Sequence, residues 1–198
     1  MKKIFAILAL VASISAFAET SGVNFEFERE RGTQAPNTLT NTVKVAPYIK
    51  FDNGIKADVQ FGASCNDGQV NGNQNPLSNS IEARVQKMYE VAPRLSVGAR
   101  LGVGQAYNEV NTLGKTVDFG YYTVEPKAEY MLTDKLSALV SFRWRDAFGS
   151  DTNNYQTRTW KAGFGYDLTK KDLVEVKYFQ KRGDYDSNGV ALEYTRGF

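Results

Sequence analysis

The chain has 198 residues with 24 Lys+Arg against 22 Asp+Glu, and the excess of two is Lys2 and Lys3. The remainder is balanced and offers no basic field for nucleic acid. Aromatic residues at 13% and hydrophobic residues at 42% exclude a disordered chain, while zero histidines and one cysteine exclude an intramolecular disulfide, most zinc sites and any imidazole base.

In chain order the first element is a targeting segment. Met1-Lys2-Lys3 is basic, Ile4 to Ser15 is mostly apolar, and Ala16-Phe17-Ala18 gives a small-x-small cleavage pattern. We expect a cleaved signal peptide over 1–18, with no lipoprotein cysteine after it, and one domain over 19–198. The apolar stretch is short for a spanning helix.

Beyond it, apolar side chains return at every second position, the period of a strand. The clearest run is Leu136, Ala138, Val140, Phe142, Trp144; others are Val43 to Phe51, Ile55 to Phe61, Leu95 to Val103 and Trp160 to Leu168. Ten strands are predicted near 23–31, 41–51, 55–64, 80–91, 95–104, 118–132, 136–146, 155–168, 173–182 and 190–198.

Asp52-Asn53-Gly54, Ala92-Pro93-Arg94, Thr133-Asp134-Lys135 and Thr169-Lys170-Lys171 read as three-residue turns that keep the apolar face in phase. The other connections, such as 65–79 and 105–117, are long and polar. Short turns at one end, long loops at the other and an even strand count point to an all-β fold: a transmembrane antiparallel up-and-down β-barrel of the outer membrane, with both termini periplasmic. A tilted spanning strand takes about 9 to 11 residues, which favours ten strands in this length, with eight and twelve as alternatives.

With the apolar face outward, Phe51, Tyr89, Tyr130, Tyr166 and Phe198 gather at the short-turn end, and Phe61, Tyr121, Trp144 and Trp160 at the long-loop end, as two interfacial girdles. The ending Leu192, Tyr194, Phe198 resembles the C-terminal assembly signature of outer-membrane barrels, with Arg196 at a position that is usually apolar.

The inward face then carries ten acids (Glu26, Glu28, Glu30, Asp58, Glu82, Glu90, Glu125, Glu129, Glu175, Glu193) and eleven bases (Lys44, Lys50, Lys56, Arg84, Arg100, Lys127, Arg143, Arg145, Lys161, Lys177, Lys181). Such a density of charge requires pairing or water. The 133–135 turn sets Glu125 opposite Arg143 and Thr123 opposite Arg145; the 92–94 turn sets Gln86 opposite Arg100 and Arg84 opposite Gly102, so these two arginines are expected to lack a directly opposed acid. Gly98, Gly102, Gly104, Gly163 and Gly165 smooth the inward wall, either leaving room for a passage or merely permitting curvature or making space for long arginines. Pore-lining candidates are Lys44, Arg84, Arg100, Glu125, Lys127, Arg143, Arg145, Lys161 and Lys177.

The stretch Val124-Glu125-Pro126-Lys127-Ala128-Glu129-Tyr130, then Thr133-Asp134-Lys135-Leu136, Arg143-Trp144-Arg145, Tyr166-Asp167-Leu168-Thr169 and Glu175-Val176-Lys177-Tyr178 resembles the small, monomeric oligogalacturonate-specific porin family over roughly residues 120–198. The resemblance implies a narrow barrel, commonly of about twelve strands, passing acidic oligosaccharides along arginine and lysine tracks. By similarity Arg143 and Arg145 match the family's basic strand-end motif. This chain departs in being shorter and in having as many acids as bases inside.

Barrel hydrolases resemble one another in using histidine, which this chain lacks, so no enzyme activity, cofactor or metal is expected. Asp184-Tyr185-Asp186-Ser187-Asn188-Gly189 opens like a calcium loop, but Thr195 stands at the bidentate position, and a hairpin loop is expected. Cys65 has no partner in the chain and reads as an incidental thiol. The expected partners are outer-membrane lipids and small hydrophilic or acidic solutes, with the barrel a monomer. Two readings stand: a channel for small, anionic solutes, and a structural or adhesive barrel with a salt-bridged, closed lumen and binding loops. A water path past Arg143 and Arg100 favours the first; a closed ladder of ion pairs favours the second.

Overall fold

The computed structural model describes residues 20–33, 39–66, 77–110, 116–149, 156–183 and 186–198; the expected signal peptide and most of the long connections lie outside them. The strands are β1 (Thr20–Gly32), β2 (Leu39–Lys50), β3 (Ile55–Asn66), β4 (Leu77–Ala92), β5 (Leu95–Val110), β6 (Thr116–Met131), β7 (Leu136–Ala147), β8 (Thr157–Asp167), β9 (Asp172–Gly183) and β10 (Ser187–Gly197). Each pairs antiparallel with its chain neighbours, and β10 returns to β1 to close the barrel. The ladders run around the closed barrel, interrupted by bulges between β4 and β5 and between β5 and β6, and closure removes the free edges a sheet cannot expose to lipid.

Each expected strand is present, with changes at its ends. β5 continues to Val110 instead of stopping near Gly104, and β10 begins at Ser187 instead of 190. Both additions are polar residues that weaken the alternation yet continue the ladder: Gln105 pairs with Gly120, and Asn188 with both Arg31 and Gln180. Ser187, Asn188 and Gly189 are therefore strand residues, a correction to the loop expected over 184–189, of which 184 and 185 lie outside the described residues.

Two of the short turns share one device. Thr133 Oγ1 accepts from Lys135 N and Leu136 N, and Thr169 Oγ1 accepts from Lys171 N and Asp172 N, so each threonine replaces a turn carbonyl. Gly54, with φ of 79°, and Arg94, with φ of 69°, supply the left-handed residue in the other two. Closure is carried to the last residue, where Phe198 N donates to Ser21 O at 2.8 Å. Arg196 points outward at this end and pairs with Asp172 at 2.9 Å, which also accepts from Tyr194 Oη at 2.7 Å. The polar departure from the terminal pattern is thus absorbed by a local carboxylate.

The alternation makes the molecule apolar outside and polar inside. Phe164 is 58% exposed and Leu101 56%, whereas Glu82 is 2% exposed. Tyr89, Tyr130, Tyr166 and Phe198 are exposed at the short-turn end, and Phe61, Trp144 and Trp160 toward the other. Tyr121 corrects the expected girdle: it shares the parity of Thr123 and Glu125, points inward and is buried. Its neighbour Tyr122 takes the outer place, with its ring 5.9 Å from Trp144 and 5.6 Å from Phe148.

Candidate functional site

The interior is built from the polar phase of every strand. Asp58 on β3 faces Arg84 on β4 in register, and Arg84 Nε donates to Asp58 Oδ1 at 2.5 Å. Arg100 on β5 has Gln86 on one side and Glu125 on the other, with contacts of 3.0 and 3.7 Å. This corrects the expectation that neither arginine has a directly opposed acid: each finds one on the outer neighbour strand. A strand in a closed barrel has two partners, and the hairpin turn reveals one of them.

Arg143 follows a different path from the expected one. The β6–β7 register holds, with Thr123 opposite Arg145. Glu125, however, accepts from Ser141 Oγ at 2.8 Å and pairs with Arg100. Arg143 Nη2 instead reaches Glu82 Oε2 on β4 at 2.6 Å, passing β5 and β6. Gly102 is what lets it pass: a Cβ there would meet Glu82 Oε1 and lie 2.5 Å from Thr123 Oγ1, which itself donates to Glu82 at 2.6 Å.

The inward glycines therefore lie against protein atoms of neighbouring strands. At Gly104 a Cβ would lie 2.6 Å from Ile81 O and from the Tyr121 ring, and at Gly163 it would strike Val176 O. Close approach of neighbouring backbone and side chains is what these positions show, and none of the nearest atoms belongs to an arginine.

Where β1 meets β10, three carboxylates stand in one row: Glu26 faces Glu193, and Glu193 faces Glu175 on β9. Like charges directly opposed repel. Lys177 compensates them, contacting Glu193 and, at 3.0 Å, Glu175, while Lys44 contacts Glu26 at 2.7 Å and Glu28 at 2.6 Å. Asn24 Nδ2 adds a bond to Glu193 at 2.9 Å, Lys161 lies 3.5 Å from Glu28, and Lys181 and Ser187 hold Glu30 at 2.7 and 3.1 Å.

Toward the long-connection end the lumen is filled by aromatic rings. Phe119 and Tyr121 are buried with centroids 6.1 Å apart, packed with Ala106, Val117 and Ala147. The Arg145 guanidinium lies 4.6 Å from the Tyr121 ring and 5.1 Å from that of Phe119. Phe179 is buried on β9. Sequence reasoning missed these three aromatics as lumenal. Parity was the available signal, since Phe119 and Tyr121 share the phase of Glu125, and Phe179 that of Lys177.

All nine candidate residues face inward, but they do not form one track. Arg100, Glu125, Lys127, Lys161 and Lys177 line a cavity of about 50 Å³, room for a few water molecules. Arg84 and Arg143 belong to the β3–β7 side, Lys44 to the closing seam and Arg145 to the aromatic layer. Lys127 lies 3.5 Å from Gln86 and has no carboxylate within ion-pair distance among the described residues.

A model of the outer membrane protein beta-barrel domain matches residues 4–167. Among solved structures the chain is similar to the beta domain of the Bordetella autotransporter BrkA, with a TM-score of 0.59 at 9% identity over 89% of this chain and 98% of that one. It is also similar to the translocator domain of autotransporter NalP from Neisseria meningitidis (TM-score 0.49, 10% identity, 98% and 94% covered) and to the KdgM porin in complex with disordered oligogalacturonate (TM-score 0.45, 12% identity, 89% and 99% covered). At these identities the likeness is one of fold. No curated protein matches the chain.

Proposed function

This chain belongs to the outer membrane protein beta-barrel domain family, and from that premise we propose that it is a structural outer-membrane barrel with a closed interior, oriented with both termini in the periplasm so that its long connections face outward from the cell. The observation that carries this reading is the transverse Arg143–Glu82 pair at 2.6 Å, laid across the lumen under the buried Phe119 and Tyr121. Together they occupy the space a solute would cross. Among the connections it would present, Asp67-Gly68-Gln69-Val70-Asn71-Gly72-Asn73-Gln74-Asn75-Pro76 is polar and free of cations, a composition suited to a hydrated contact surface.

A diffusion channel for small hydrophilic anions is the second reading, and the observation favouring it is the polar cavity between Lys127, Arg100 and Lys177. Passage would require the Arg143–Glu82 pair and the aromatic layer to part. Reconstitution of the mature protein in planar bilayers separates the two. Closed-barrel behaviour is an absence of conductance steps across salt conditions and voltages, and regular steps with anion selectivity would replace it with the channel.

A further inference from the structure

The outer wall is not uniformly uncharged at the long-connection end. Arg29 and Arg31 on β1, Arg158 on β8 and Arg182 on β9 are exposed and face outward. They lie on four contiguous strands, since β8, β9, β10 and β1 are neighbours. At the same end, outward positions on β2 to β5 are uncharged: Leu39, Asn41, Cys65, Leu77, Asn79 and Tyr107. The cations are gathered on one side.

Among the described residues their arrangement lacks a compensating carboxylate. Arg158 and Arg182 are directly opposed in the β8–β9 register, a pairing that repels. None of the four has an ion pair with a described residue. The nearest outward carboxylates are engaged by neutral donors, Asp146 by Tyr122 Oη and Gln156 Nε2 at 3.4 Å each, and Asp186 by Gly183 N at 3.0 Å. Arg182 Nη1 donates to Asn188 Oδ1 at 3.3 Å, which leans it toward Arg31, the register partner of Asn188.

Depth identifies what could lie against them. Two residues below Arg29 on the same face is Phe27, and two below Arg158 is Trp160, which is 57% exposed. Trp160 belongs to the interfacial girdle, so the guanidinium groups above it stand at headgroup level. Arginine's planar fork suits phosphate oxygens. We propose that the outer wall of β8, β9, β10 and β1 binds the phosphate groups of an outer-leaflet glycolipid through Arg31, Arg158 and Arg182, with Arg29 beside them. This rests on the orientation given above but not on the closed lumen.

The test uses the purified mature barrel in detergent, titrated with bis-phosphorylated lipid A, dephosphorylated lipid A, phosphatidylglycerol and inorganic phosphate, with bound lipid counted by native mass spectrometry. Binding of the phosphorylated glycolipid is expected, weaker by roughly a hundredfold in Arg31→Gln/Arg158→Gln/Arg182→Gln, because each cation near an anionic headgroup contributes roughly fivefold. Lys87→Gln/Arg196→Gln, outward cations at the other end, should bind as the parent does. If the glutamine variant does not fold by far-UV dichroism and heat-modified gel migration, the corresponding lysine triple serves, with a loss of roughly tenfold expected from the missing bidentate geometry. Equal binding by the variants, equal binding of the dephosphorylated lipid, a preference for phosphatidylglycerol, or inorganic phosphate competing as strongly as the lipid would each overturn the proposal. Conductance in bilayers with glycolipid binding intact would overturn the closed lumen alone, and thiol labelling of Cys65 reads orientation separately.

Discussion

Arg143 and Glu82 are 61 residues apart in sequence and three strands apart in the sheet, yet their side chains meet at 2.6 Å inside the barrel. The pair spans a chord of the lumen instead of a rung of the ladder. Breaking it from one side, with Arg143→Met or Glu82→Leu, strands a buried charge and should destabilise folding by about 3–5 kcal/mol, whereas the double replacement should cost much less. Urea refolding into detergent micelles, analysed as a double-mutant cycle, measures both.

Gly102 should be sensitive although it carries no side chain. Gly102→Val puts methyl groups where Glu82 Oε1 and Thr123 Oγ1 lie, and overpacking of this kind costs about 1–3 kcal/mol. Thr123→Ala in the same background relieves part of the crowding, so its added cost should be smaller than in the parent. The same refolding assay reads the difference.

The lipid-facing side should tolerate charge by depth. Leu101, 56% exposed in the middle of the outer wall, should cost about 2–4 kcal/mol on replacement by arginine, against about 0–1 kcal/mol for Tyr89→Arg at the short-turn interface. Folding equilibria into short-chain phosphatidylcholine vesicles provide the comparison. Equal costs at the two sites would mean that this face does not contact hydrocarbon.

Cys65 is exposed at the end of β3 next to a long connection, and with the termini in the periplasm it faces the cell exterior. A membrane-impermeant maleimide should label it on intact cells to the same extent as in purified protein. Labelling only after lysis would reverse the orientation.

Much of the fold was legible because one rule governs a barrel wall: lipid outside and charge inside force period two, and three-residue turns fix the register across a hairpin. Arg100 opposite Gln86 and Thr123 opposite Arg145 follow from counting back from a turn. The partner of Arg84 was not reachable that way, because Asp58 lies across the long 67–76 connection, which sets no register. Nor was the Arg143–Glu82 chord, since it depends on an absent side chain at Gly102 and on barrel curvature. Tyr121 was misplaced for a chemical reason: an aromatic near an interface suits lipid as well as a lumenal layer, and strict parity with Glu125 decides between them.

The row Glu26, Glu193 and Glu175 has a bearing on how the molecule is assembled. Lys44 sits on β2, beside Glu26, and Lys177 sits on β9, beside Glu193. Each terminal pair of strands therefore brings its own counter-ion before the first and last strands ever touch. The two free edges that must zip together at the end of insertion arrive with part of their charge already balanced, and the final stitch joins partly compensated surfaces in place of bare anions.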